Sequence, residues 1–151
     1  MRKKIILTSI IAILIISNIF CGWLILKNEP ATVYKTDILT DELDVKNFSL
    51  VNIGNTLYIQ DGFIFKLTKE GKVDSVNFEV FIDGTRVFDF AGAKNFEKSN
   101  ERIIDAFKII PNIKISKNSK MVTKVKYTIN GEGREFNNTV LLRTIVKYKE
   151  E

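Results

Sequence analysis

The sequence predicts an antiparallel β-sandwich behind an N-terminal transmembrane helix, all-β or mostly β with one short helix. Three observations carry that expectation. Residues 5–26 hold no charged side chain and follow a basic cluster, Arg2, Lys3 and Lys4. From about residue 41 apolar and polar residues alternate with period two, the pattern of strands that bury one face. Turn-forming pairs, Asp83-Gly84 and Asn130-Gly131 among them, separate the alternating runs.

As a helix, residues 5–26 rise about 1.5 Å each and reach roughly 33 Å, against about 30 Å of hydrocarbon core. The basic cluster at 1–4 then stays in the cytoplasm, and Trp23 meets the far interface where amphipathic rings settle. Two other readings start from the same residues. A cleaved signal peptide would use 5–16 as its apolar region and 17–18 as the start of its cleavage region. A lipid-attached Cys21 would need a small residue before it, where the chain has Phe20. All three put the remainder of the chain outside the cytoplasm, and the uncleaved signal-anchor fits best because apolar sequence resumes at Trp23.

The net charge of +5 is partly a topology signal. Arg2, Lys3, Lys4 and Lys27 against Glu29 supply three of those charges and leave +2 from residue 31 onward. That balance gives no electrostatic footprint for nucleic acid. The single cysteine, Cys21, lies in the apolar segment, so a hydrophobic core without disulfides must hold the domain.

The elements follow in order. Residues 27–40 read as a juxtamembrane linker that Pro30 keeps from continuing the helix. Asp37, Asp41, Glu42 and Asp44 make a solvated acidic run without the glycine and glutamate spacing of a calcium loop. The extracytoplasmic domain, residues 41–151, opens with Phe48 and Leu50 alternating against Asn47 and Ser49. Val45 falls out of phase with them, which predicts a bulge or bend. Phe63, Phe65 and Leu67 mark the next strand. Val76, Phe78, Val80 and Ile82 alternate with Asn77, Glu79 and Asp83, and Asp83-Gly84 turns the chain into Phe88 and Phe90. Val125, Tyr127 and Ile129 form a strand that Asn130-Gly131 reverses into a long return, 135–146.

Residues 93–117 read less simply. Ile103, Ile104, Phe107 and Ile110 share one helical face, with Asn100 as a cap and Pro111 as a stop. The expectation is a short helix or irregular crossover, followed by a strand at 112–116. The alternative is a pair of short strands, with Ile113 and Ile115 on the second.

Seven or so short strands with regular turns indicate two packed antiparallel layers. In pattern the domain is similar to immunoglobulin-like or fibronectin-type modules of bacterial surface proteins, and Tyr127 on a central hairpin strand resembles the buried tyrosine of such sandwiches. The Cys–Trp–Cys signature of antibody domains is absent, since Trp23 is the only tryptophan.

Little in the chain suggests catalysis. It has no histidine, the commonest general base and zinc ligand. Ser116, Lys117, Ser119 and Lys120 form a wet polar run rather than a desolvated Ser–Lys dyad. No cofactor or metal is implied. Two features suit partner binding. Lys114, Lys117, Lys120, Lys124 and Lys126 form a basic stretch suited to an acidic partner, headgroups or wall polymer, unless they only keep the surface soluble. Phe81 interrupts a polar strand face and is the best candidate for an exposed aromatic, followed by Phe96 and Phe136.

The expected protein is a non-enzymatic, single-pass membrane module whose C-terminal domain faces the cell exterior. It would serve as an accessory subunit beside another membrane or envelope protein. The alternative is a secreted or surface module that recognises cell-wall polymer or a small extracellular molecule.

Overall fold

The structure is a computed structural model and describes residues 31–92 and 94–149. The expected cytoplasmic cluster, the membrane segment and Cys21 lie outside the described residues. Among those described, no helix is long and apolar enough to cross a membrane.

The strands run in chain order as β1 (Thr32–Ile38), β2 (Leu43–Ile53), β3 (Thr56–Ile59), β4 (Phe63–Leu67), β5 (Lys72–Ile82) and β6 (Thr85–Ala91). The second half adds β7 (Phe96–Glu97), β8 (Arg102–Ile104), β9 (Lys108–Ile110), β10 (Lys120–Ile129), β11 (Glu132–Leu141) and β12 (Val146–Lys149). They form two antiparallel sheets. One has the order β12-β1-β2-β3-β9, with β4 also on β2 and β8 on β4. The other has the order β11-β10-β5-β6, with β7 also on β5.

The fragmentation of the first sheet has a simple geometry. Because β1 occupies one flank of β2, β3 and β4 share the other flank and act as one strand broken at residues 60–62. Gly62 supports that break with a φ of 80°, open to glycine without steric cost. Across from them β8 and β9 keep one common register, Phe63 opposite Ile104 and Ile59 opposite Lys108. They are one edge strand interrupted at 105–107.

Alternation then sends one face of each sheet inward. From the first sheet come Phe48, Phe63 and Phe65, and from the second Phe78 and Phe88, all buried. Their rings meet edge to face, Phe48 to Phe78 at 5.1 Å and 82°, Phe63 to Phe88 at 5.8 Å and 82°. Such pairs add about 0.5–1.5 kcal/mol each beyond burial of their area. A polar tie crosses between the sheets as well. The Thr40 hydroxyl, which donates to Leu43 O at 2.8 Å, lies 3.3 Å from the Tyr127 hydroxyl.

The expected turns form where the sequence places them. Asp83 and Gly84 take φ of 48° and 83°, and Asn130 and Gly131 take 50° and 80°, the positive pairs of tight hairpins. The bulge near Val45 is also present. Register shifts between Thr36 and Ile38, and Asn47 carries the positive φ of 61°.

Four expectations change. Residues 32–38 are not linker but β1, hydrogen-bonded on one flank to β2 and on the other to β12. Residues 102–110 are the strand pair β8 and β9, not a helix, because their backbone is claimed by β4 and β3. Residues 112–116 form no strand, although Ile113 and Ile115 pack against the core. The long return 135–146 breaks at a 3-10 turn, Leu142–Thr144, where buried Leu142 crosses the chain from the second sheet to the first.

Candidate functional site

The lysine stretch does not gather into one patch. Lys114 and Lys117 are exposed on the irregular crossover before β10, and Lys120 is exposed at that strand's first position. Lys120 is tied there through its backbone, whose N–H donates to Asp83 Oδ1 at 2.8 Å. Lys124 and Lys126 do share the outer face of the second sheet, as alternation requires. That face is not uniformly basic. Lys126 Nζ lies 3.6 Å from Glu135, and Arg86 lies 3.2 Å from Glu79 and 3.3 Å from Asp89. Signs alternate across the strands, so the field of each lysine is locally offset.

Phe81 lies on the same face but is half-buried rather than exposed. Val122 and Arg86 stand opposite it on the neighbouring strands, and the Lys124 ammonium lies 5.1 Å from its ring centroid. Phe96 is buried and Phe136 half-buried against the core. Among the described residues the exposed aromatic is instead Phe107, which the helical reading puts on one face with Ile103, Ile104 and Ile110.

Phe107 belongs to an apolar strip on the outer face of the first sheet. Ile103, Phe107 and Ile109 are 61%, 58% and 53% exposed, on one nine-residue edge. Register extends the strip across the sheet. Ile109 stands opposite Tyr58, Tyr58 opposite Val51, and Val51 opposite Val33. Phe107 and Tyr58 rings lie 6.4 Å apart, and Ile64 flanks Ile103. Single exposed apolar residues are ordinary, whereas these side chains are neighbours on one sheet face. In the sequence the signal was present as period-two alternation of Ile103, Phe107 and Ile109 with Ile104 and Ile110. A helical period matches nearly the same residues.

A second feature is a shallow groove of about 670 Å³ on the outer face of the second sheet. Ser75, Asn77 and Thr128 form its polar floor, while Lys94, Lys126 and Arg134 stand around it. The Oδ1 atom of Asn77 is buried there without a hydrogen-bond partner among the described residues.

Among the described residues, Tyr34, Lys66 and Arg134 depart from their ordinary ionisation values. Burial pushes the Tyr34 phenol above its ordinary value. The hydrogen bond that Lys66 donates to Glu101 raises its value, and the one that Arg134 donates to Glu132 raises that of the guanidinium, both in exposed ion pairs. Among the described residues no group of three or more Asp, Glu, His or Cys side chains is placed to hold a metal. No protein-family model matches the chain, and no curated protein or solved structure matches it either.

Proposed function

We propose that the chain is a membrane-anchored, extracytoplasmic and non-catalytic interaction module, an accessory subunit docked on another membrane or envelope protein. One observation carries the interaction reading: the apolar strip of Tyr58, Ile103, Phe107 and Ile109, which a free-standing monomer leaves in water. The anchor rests on the uncharged segment 5–26 behind Arg2, Lys3 and Lys4. Confinement to a membrane raises the effective concentration of such a module near membrane partners, so modest affinity suffices. The domain itself is read as immunoglobulin-like. In support, β11-β10-β5-β6 follow the order in which the G, F, C and C′ strands of variable-type sandwiches lie.

The test is cross-linking of the full chain in its native membrane, followed by intact mass of the recovered chain. A specific cross-linked partner should be lost in the Phe107→Lys, Ile109→Lys variant and kept in the Lys124→Glu, Lys126→Glu variant. Partner capture indifferent to the strip, or a shortened chain free in the medium, overturns the corresponding half of the reading.

The groove floored by Asn77 favours a second reading, a module for anionic wall polymer. Sedimentation with insoluble wall material, weakening as salt rises and lost in Lys94→Glu, Lys126→Glu, would select it.

A further inference from the structure

We infer that the β8–β9 edge accepts an extended segment of a partner protein, in which acidic and apolar residues alternate, as an added strand of the first sheet. The inference rests on the interaction reading above and specifies its mode. Among the described residues β8 pairs only with β4 and β9 only with β3, so the far flank of this edge is free. Backbone groups of successive residues point to alternate flanks. The Ile104 carbonyl accepts from Gly62 N–H at 2.8 Å on the β4 side, so the amide and carbonyl of Ile103 point outward to the free flank. A cleft of about 340 Å³ borders that flank, walled by Phe90 and Gly92 on one side and by residues 102–105 on the other.

The two faces of the edge differ in chemistry, and that difference selects the occupant. Ile103 and Ile109 stand opposite half-exposed Ile64 and Tyr58, so they belong to the outer, apolar face. Arg102 and Lys108 stand opposite buried Phe65 and Ile59, so they issue from the inner side of the edge and remain exposed. An inward-directed charge on an edge strand ordinarily repels generic strand pairing. Here both charges are positive. A second copy laid along the same edge would add two more cations, whereas a strand with carboxylates at alternate positions would neutralise them. Its intervening apolar side chains would extend the strip of Ile103, Phe107 and Ile109. Strand addition of this kind draws affinity from backbone bonds and specificity from alternate side chains. Asp105, exposed between Ile103 and Phe107, disfavours an anionic lipid surface as the occupant.

The experiment uses the full chain in nanodiscs with synthetic peptides of alternating Glu and Val, about nine residues long to span 102–110. Parallel arms use a Lys and Val peptide, and a Glu and Val peptide methylated at alternate backbone nitrogens. The Glu and Val peptide should bind, slow amide exchange of Ile103 and its neighbours, and weaken as salt rises. The Arg102→Glu, Lys108→Glu variant should lose about tenfold in affinity for it and gain affinity for the Lys and Val peptide. Undiminished binding of the methylated peptide to the unaltered protein overturns strand addition without recourse to any variant. So does equal binding of both charge types, or no binding. Protection of the edge by anionic vesicles alone would assign it to lipid. Protection that rises with protein concentration alone would assign it to a second copy. If the peptides fail while cross-linking still depends on Phe107, the interaction module stands and its strand-addition mode falls.

Discussion

The Lys124 ammonium lies 5.1 Å from the centroid of the Phe81 ring, so two residues that look like independent contact points in the sequence are partners of each other. The ammonium sits over an aromatic ring on a polar sheet face, and the ring quadrupole attracts the charge. Neither residue is then free to serve a partner without breaking that contact.

The pair should therefore show coupling. In a double-mutant cycle of Lys124→Met and Phe81→Leu, urea unfolding should give an interaction energy of about 0.5–1 kcal/mol, the range for a partly solvated cation over a ring. Strict additivity would mean the contact contributes nothing to the folded state.

Thr123 points into the core from β10, and its hydroxyl is buried without a hydrogen-bond partner. Valine has nearly the same shape and no polar atom to desolvate. Thr123→Val should stabilise the domain by about 1 kcal/mol, read as a higher urea midpoint at unchanged slope. A loss of stability would show that the hydroxyl has a partner, such as a buried water.

Gly71 closes the passage from the first sheet into β5 with a φ of 154°, and a Cβ there would come within 2.8 Å of Ile129 Cγ2. Gly71→Ala should cost about 1–3 kcal/mol, since it combines a backbone region reserved for glycine with a close approach. Gly133→Ala, whose added carbon meets nothing within 4 Å, is the matched control and should cost far less in the same melting experiment.

Tyr34 is buried in β1, and that burial raises its phenol above the ordinary value of 10.0. In the unfolded chain the phenol ionises first, so the folded state holds the extra proton above pH 10. Its stability contribution is complete below the unfolded value and is lost as pH rises through the folded one. Alkaline unfolding should shift to higher pH in Tyr34→Phe, and absorbance titration of the native protein should show one tyrosine ionising late. A Tyr34 phenol that ionises at its ordinary value would contradict the burial effect.

Much of the architecture was legible because hairpins are local. Asp83-Gly84 and Asn130-Gly131 adopt positive φ with little help from elsewhere, and the alternation beside them names the buried face. Val45 falling out of phase with Phe48 announced the bulge that Asn47 forms. The edge strand was not legible in the same way. Ile103, Ile104, Phe107 and Ile110 satisfy a helical period and nearly satisfy a strand period, and β8 and β9 are each only three residues long. The break at Leu142 was hidden for a related reason, since a continuous apolar run does not say on which sheet it ends.

Composition and local pattern alone thus determined a mostly β domain, its principal hairpins, its disulfide-free core and the uncharged segment that precedes it. Pairing decided the rest. Whether residues 32–38 are linker or strand depends on β2 and β12, which flank them. Whether Ile103 and Phe107 face core or water depends on β4 and on the common register of β8 and β9. Whether Lys124 is available depends on the Phe81 ring, far away in sequence but on the adjacent strand. Each is a long-range backbone or side-chain contact, and its free energy belongs to residues far apart in the chain, beyond the reach of any local period.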